Sequence, residues 1–205
     1  MAANPSVGLC IDWETSGSAW GDDTSKYYQG VSFGAIAFNT SDFSIIDTLY
    51  REIKFDETKY KWSNEAERIH GLSKEYLEKN GIDREDAAVD LIQFINNNFK
   101  DEKKIMFLGH NPEFDRRMTN QLMGVVNFEF SIERLDKLKT HIALHHVMLD
   151  TSALGFITMD KYKSNELFES MGFTRDNHNA LEDAMFTVQT CAAIKAIFNI
   201  GMENL

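Results

Sequence analysis

The chain has 205 residues, of which 43% are hydrophobic and 12% aromatic, so it can form a folded core and is neither disordered nor collagen-like. Its 21 Lys and Arg against 32 Asp and Glu give a formal net charge of −11, the wrong sign for broad counterion release on duplex DNA. Any nucleic-acid partner must therefore be bound through contacts at a local site, without a broad basic surface.

The first part of the chain has the pattern of consecutive strands. Residues 7–14 alternate, with Val7, Leu9, Ile11 and Trp13 on one face and Gly8, Cys10, Asp12 and Glu14 on the other, which predicts a strand. After the polar segment 16–30, residues 31–39 and 43–55 predict two strands of a hairpin.

The second part alternates between strands and helices. Residues 84–99 carry apolar side chains on one helical face, with Asp83 at the N-cap, and 105–109 predict a buried strand. The remaining predicted elements are a helix from Pro112, a strand at 141–150, a short helix at 164–171 and a final helix at 179–200. This order predicts an α/β fold, in which helices pack on a mixed sheet.

Four carboxylates lie in three separate segments of the chain. Asp12 and Glu14 are two positions apart on the first strand, so their side chains leave the same face. Asp115 follows in GHNPEFD at a helix start, and Asp183 follows in HNALEDA near the start of the last helix. If the fold brings these groups together, each close pair repels by about 4 kcal/mol at an effective dielectric near 20, and only cations make the cluster tolerable.

Oxygen ligands of this kind select hard cations, magnesium or manganese, over zinc. The corresponding chemistry is two-metal phosphoryl transfer, in which two ions about 4 Å apart clamp a scissile phosphate. His178 lies five residues before Asp183 and outside the helix, where its imidazole is a candidate base for the attacking water.

The segments IDWETSG, RIHGLS at 68–73, GHNPEFD and HNALEDA resemble, in order and spacing, the DnaQ-like 3′-5′ exonucleases with four acids and a histidine (DEDDh). The resemblance covers residues 7–198. It implies an RNase H-like mixed five-stranded sheet flanked by helices. It also implies that Asp12, Glu14, Asp115 and Asp183 bind two divalent metal ions, Mg²⁺ or Mn²⁺, and that His178 is the general base.

Six further residues are weaker candidates for substrate binding: Thr15, His70, Asn111, Phe114, Lys161 and Lys163. Thr15 and His70 occupy positions that in similar enzymes approach the terminal nucleotide. Asn111 and Phe114 belong to the second acidic motif. The two lysines lie between the last strand and His178, and either this pair or Arg116 with Arg117 could contact phosphates.

Two other groups of residues have alternative interpretations. Three histidines lie close together in sequence and could suggest a zinc site: His141, His145 and His146. This site is not favoured, because the adjacent positions 145 and 146 face opposite sides of a strand and no cysteine is near in sequence to complete it. Trp20, Tyr27 and Tyr28 could stack on unpaired bases or form the small core of their own loop. The sequence favours neither reading of these aromatics.

The function predicted from these features is a metal-dependent exonuclease that releases nucleoside 5′-monophosphates from the 3′ end of single-stranded DNA. An exoribonuclease or oligoribonuclease of the same fold is the close alternative, and a non-catalytic nucleic-acid binding module is the alternative of another class. We expect a single exonuclease domain over residues 1–205, acting as a monomer or homodimer. The two cysteines and the lack of an apolar span or leader predict a cytoplasmic protein without a membrane segment.

Overall fold

The computed structural model describes residues 5–19, 23–102, 104–131, 141–175 and 177–203. Its strands are β1 (Val7–Thr15), β2 (Gly30–Asn39), β3 (Ile45–Glu52), β4 (Ile105–Gly109), β5 (Glu129–Ser131) and β6 (His141–Asp150). Its helices are α1 (Asn64–His70), α2 (Lys74–Asn80), α3 (Arg84–Phe99), α4 (Pro112–Met123), α5 (Thr151–Met159), α6 (Ser164–Ser170) and α7 (Ala180–Glu203). None of the helices in these ranges is long and apolar enough to cross a membrane.

The strands form a mixed sheet in the order β3-β2-β1-β4-β6-β5. β1 pairs antiparallel with β2, and β2 with β3, whereas β1 with β4 and β4 with β6 are parallel. The predicted α/β fold, a mixed sheet of five strands flanked by helices, is confirmed. The three-residue strand β5 adds a short parallel edge beside β6.

Some local elements differ from the sequence-based expectation. The second hairpin strand is shorter than 43–55, since Phe43 takes a positive φ of 62° in the turn and β3 ends at Glu52. Asp83 occupies the N-cap of α3, but its side chain makes no capping hydrogen bond and pairs with Lys54 Nζ at 2.9 Å instead. The helices α1, α2 and α5 are additional to those that the sequence patterns predict.

The alternation along β1 separates two hydrophobic cores, one on each face of the sheet. Leu9, Ile11 and Trp13 pack in the core covered by α3 and α4. Cys10 packs on the other face, in the core that α7 covers with Ala184, Val188 and Cys191. Asp12 and Glu14 belong to this second face by the same alternation, and they therefore lie on the side of the sheet where α7 begins.

The start of α7 rests directly on the backbone of β2. Gly34 pairs with Asp12 across the β1–β2 ladder. A Cβ added at Gly34 would lie 2.3 Å from Leu181 Cα and 2.5 Å from the carbonyl oxygen of Ala180. Only glycine permits this approach, which brings Asp183, two residues further along α7, to the acidic end of β1.

Candidate active site

The structure brings the four predicted acids and His178 to one cavity of about 180 Å³. The cavity is lined by Asp12, Trp13, Glu14, His110, Phe114, Asp115, Ser164, Phe168, His178 and Asp183. These side chains come from β1, the junction of β4 with α4, α6, the segment that leads into α7, and the first turn of α7. The predicted convergence of three distant motifs is thus present in the fold.

Two of the acids lie in the first turns of helices. α4 begins at Pro112, after Asn111 in a left-handed conformation with φ 62°, and this entry places Asp115 in the first turn. Asp183 lies in the first turn of α7. A helix N-terminus favours a negative charge, so the two helix starts offset part of the cost of burying these carboxylates.

Burial and mutual repulsion disfavour ionisation of the cluster. Burial raises the pKa of Asp12 well above its usual range, and the charges of Asp115, Glu14 and Asp183 raise it further. Burial and Asp183 also raise the pKa of Glu14, to about 7. The pKa of Asp115 is raised mainly by burial, although the backbone N–H of Trp13 opposes the change. Without a cation, the cluster would hold protons at a pH where ordinary carboxylates are ionised.

The donor atoms of the cavity fit a hard divalent cation. One ligand atom each from Glu14, His178 and Asp183 lies within 4.8 Å of the other two. Asp183 Oδ1 is buried and has no hydrogen-bond partner among the described residues. A buried carboxylate oxygen of this kind is normally satisfied, so a cation is a suitable partner for it.

Arg175 contacts the cluster and was not among the residues predicted from the sequence. Its Nη1 donates to Asp183 Oδ2, and His178 Nδ1 lies 3.5 Å from the same oxygen. Burial and the positive charge of Arg175 lower the pKa of His178, which favours the neutral imidazole. The position of Arg175, three residues before His178, was the only sequence signal, and it does not reveal the ion pair.

His110 is a second residue that the sequence analysis missed, although it lies within the GHNPEFD motif. Its Nδ1 is 3.0 Å from Thr151 Oγ1, and burial lowers its pKa. The hydrogen bond orients the ring in the wall of the acid cavity, so that a neutral imidazole adjoins the carboxylates.

Four of the predicted substrate contacts lie beside the acids. Thr15 and His70 line a neighbouring cavity of about 320 Å³ that shares Glu14 with the acid cavity. Phe114 lines the acid cavity itself, and with Asn111 it also lines a further cavity of about 280 Å³. These placements surround the acids with concave surface that could hold a terminal nucleotide.

The predicted lysines lie elsewhere. Lys161 Nζ donates to Ser170 Oγ at 2.6 Å, and Lys163 pairs with Glu166 at 3.4 Å on the surface. Neither lysine lines the acid cavity. Arg116 and Arg117 both pair with Glu113, at 2.7 and 3.0 Å.

The remaining candidates form no second site in the part of the chain that the structure describes. The ring centroids of His145 and His146 lie 4.3 Å apart, with the ring planes tilted by 36°, and neither residue belongs to the group of potential metal ligands. Tyr27 lies beneath Lys61 Nζ at 5.2 Å, and Tyr28 packs against Gly17. Trp20 lies outside the described residues.

Comparisons with known proteins agree with this geometry. Residues 8–195 match the model of a family described as the 3′-5′ exoribonuclease Rv2179c-like domain. The chain is 27% identical over 194 residues to the 3′-5′ DNA exonuclease Cap18 of Escherichia coli, covering 92% of this chain and 91% of that protein.

Solved structures of exonuclease I share the fold. The zinc-bound complex of E. coli exonuclease I with single-stranded DNA superposes with a TM-score of 0.70 at 18% identity, over 94% of this chain and 41% of that one. The complex of the same enzyme with a 5cy-dT13 oligonucleotide gives 0.69 at 16%, with the same coverage. This chain therefore spans less than half the length of exonuclease I. The chain belongs to the 3′-5′ exoribonuclease Rv2179c-like family and is a 3′-5′ exonuclease with the DnaQ-like, RNase H-like fold.

Proposed function

We propose that residues 1–205 act as a single exonuclease domain that shortens single-stranded DNA from its 3′ end, by a two-metal mechanism, and releases nucleoside 5′-monophosphates. The observation that carries this proposal is the convergence of four carboxylates and one imidazole on a single cavity. The cost of burying that much negative charge is understandable if cations bind there.

The four acids, Asp12, Glu14, Asp115 and Asp183, are the proposed metal ligands. Two divalent ions, Mg²⁺ or Mn²⁺, would supply positive charge at the attacking and leaving oxygens of the scissile phosphate. The chain itself supplies oxygen ligands at fixed positions, because β1 and the first turns of α4 and α7 hold the carboxylates.

His178 is the proposed general base. Its side chain is 34% exposed, at the edge of the cavity, and its lowered pKa keeps the imidazole neutral near pH 7. Since Nδ1 faces Asp183, Nε2 is the nitrogen left to accept a proton from the attacking water.

The cavity lined by Thr15 and His70 is proposed to hold the terminal nucleoside, because it opens beside Glu14. Single-stranded DNA is the favoured substrate, since Cap18 is named a DNA exonuclease and exonuclease I was crystallised with single-stranded DNA. RNA is the second candidate, and it is favoured because the matching family is described as an exoribonuclease domain.

A time course on two 5′-labelled single strands of equal sequence, one DNA and one RNA, tests the proposal. We expect a ladder that shortens from the 3′ end with Mg²⁺ but not with chelator, and faster with DNA. Asp115→Asn should abolish the ladder while largely sparing the fold, because it removes a ligand and relieves repulsion. Asp47→Asn, at an exposed carboxylate on β3, is the matched control and should cut like wild type.

The other outcomes are equally informative. Unchanged hydrolysis by Asp115→Asn would refute the metal role of that residue. Faster cutting of RNA would reverse the substrate assignment. If neither strand is shortened with any divalent metal, the non-catalytic binding alternative replaces this proposal.

A further inference from the structure

Arg175 combines two features that the exonuclease reaction above does not use. It pairs with Asp183 and so offsets part of the charge of the acid cluster, and it lines a second cavity outside that cluster. The residue lies in the segment between α6 and α7, three positions before His178. Its side chain is only 11% exposed.

The ion pair of Arg175 with Asp183 is nearly buried, because the Asp183 side chain is 7% exposed. Among the described residues, Arg175 is the one Lys or Arg within 4.0 Å of an oxygen of the four acids. Its charge opposes the rise in the pKa of Asp12 and Glu14 as well as of Asp183. Arg175 is therefore the counter-charge of the cluster when no metal is bound.

A divalent cation and the Arg175 guanidinium cannot both be stable at this position. Arg175 contacts Asp183 Oδ2, and that carboxylate belongs to the group of close donor atoms with Glu14 and His178. Cations bound by those donors would lie within a few ångströms of the guanidinium, in a buried setting where like charges repel strongly. Metal binding should therefore weaken the hold of Asp183 on Arg175.

The structure offers Arg175 a second place to act. A cavity of about 380 Å³ adjoins the acid cavity, with His178 in the wall of both. Its polar lining includes Arg68, Asn165, Asn177 and Arg175, together with one carboxylate, Glu169. Arg175 Nη2 already donates to Asn165 Oδ1 at the start of α6, so one edge of the guanidinium faces this cavity.

A planar guanidinium binds phosphate oxygens through two parallel hydrogen bonds. On a protein with a net charge of −11, a strand of phosphodiesters needs such local cationic contacts. The adjoining cavity, here called the Arg68–Arg175 cavity, supplies these two arginines and has the proposed general base, His178, in its wall.

We propose that Arg175 exchanges partners during the reaction, pairing with Asp183 in the metal-free protein and binding a phosphate of the nucleic-acid strand in the Arg68–Arg175 cavity once divalent ions occupy the acids. This inference rests on the proposed metal-dependent function. Arg175 is then a strand-binding residue, and strand binding is coupled to metal binding.

The test uses Arg175→Gln in two binding measurements that should change in opposite directions. Titration with Mn²⁺ alone, followed by electron paramagnetic resonance, should show about tenfold tighter binding, because a competing cation is gone. Fluorescence anisotropy with a hydrolysis-resistant, 3′-phosphorothioate single-stranded oligodeoxynucleotide at saturating Mn²⁺ should show about tenfold weaker binding. Arg51→Gln, which breaks the pair between Arg51 on β3 and Asp90 on α3, is the matched control and should change neither affinity.

A structural role for Arg175 would weaken both affinities, and that result overturns the proposal, as does no change in either. If Arg175→Gln does not fold, Arg175→Lys decides. It keeps the charge, so Mn²⁺ affinity should stay at the wild-type value while strand affinity falls about threefold for loss of the bidentate contact. Strand affinity equal to wild type in this variant also overturns the proposal.

The failure of this inference can be told from failure of the proposed function. Wild-type protein that neither binds Mn²⁺ nor shortens a strand contradicts the metal-dependent function itself. Wild-type protein that does both, beside an Arg175→Gln variant indistinguishable from it in the two affinities, contradicts the partner exchange alone.

Discussion

The two ends of one face of β1 meet the same helix, α7, in opposite ways. At the apolar end, Cys10 is fully buried against Ala184 and Val188. At the polar end, Glu14 shares a small cavity with Asp183, which lies in the first turn of the helix. One packing arrangement therefore stabilises the fold at one end and concentrates repelling charge at the other. The residues that stabilise the fold and those proposed to carry the chemistry thus lie at different ends of one strand. Substitutions at one end should change mainly the free energy of unfolding, and substitutions at the other mainly the rate of hydrolysis.

The largest effect should come from His178→Ala at the polar end. Loss of the proposed base should lower the rate of hydrolysis by about 10²–10⁴-fold. Strand affinity and the free energy of unfolding should change little, since the side chain is 34% exposed and its one close polar contact, with Asp183 Oδ2, is long at 3.5 Å. Single-turnover rates and anisotropy on the same strand measure both quantities.

His146→Ala, at an exposed histidine on β6, serves as the control for that measurement. An equal loss of strand affinity in His178→Ala would indicate a binding role instead of proton transfer.

The next effect concerns the stability of the metal-free protein as a function of pH. The pKa of Glu14 is about 7 in the folded state against an ordinary value of 4.5, so the folded state holds more protons between these values. The free energy of unfolding should then fall as pH rises from 4.5 to 7, by about 3 kcal/mol. Urea denaturation with chelator, repeated at several pH values, measures this loss.

Glu14→Gln should reduce that decline, because a neutral amide has no proton to lose. Added Mg²⁺ should stabilise wild type more at pH 8 than at pH 5, since cations compete with protons for the same oxygens. A free energy of unfolding that stays constant over this pH range would show that burial does not raise the pKa of Glu14 in the folded state.

The smallest effect belongs to the apolar end. Val188→Ala should lower the free energy of unfolding by about 2 kcal/mol, because the side chain is fully buried. The rate per folded molecule should stay at the wild-type value. Ile197→Ala, at a residue of the same helix that is 64% exposed, is the control and should change stability by less than about 0.5 kcal/mol. A fall in rate at saturating metal would mean that the two ends are not independent.

Much of the fold was accessible from local patterns. The alternation on β1 and the apolar face of α3 follow directly from strand and helix periodicity. α5 was missed because TSALGFITM has no clear amphipathic period, and Ile157 within it is 77% exposed. α1 and α2 have seven residues each, and the serines Ser63 and Ser73 that cap them were the local signal available for both.

The sequence predicted those residues of the candidate site that belong to recognisable motifs. Asp12 and Glu14 lie on β1, and Asp115 and Asp183 lie in the first turns of α4 and α7, so local patterns locate each acid that lines the cavity. Partners in loops could not be predicted, since contacts there depend on tertiary packing. Arg175 reaches Asp183 for that reason, whereas the lysines at 161 and 163 bond to α6 instead.

The absence of a side chain at Gly34 determines how closely the start of α7 approaches the sheet. Carbon atoms normally pack about 3.5–4.0 Å apart, and a methyl group at this residue would lie 2.3 Å from Leu181 Cα. An alanine would push α7 from the sheet by more than about 1 Å, whereas metal ligation tolerates about 0.2 Å. The distance between Asp12 and Asp183 is therefore set by contact between main-chain atoms. Substitution of the surrounding side chains leaves that contact unchanged.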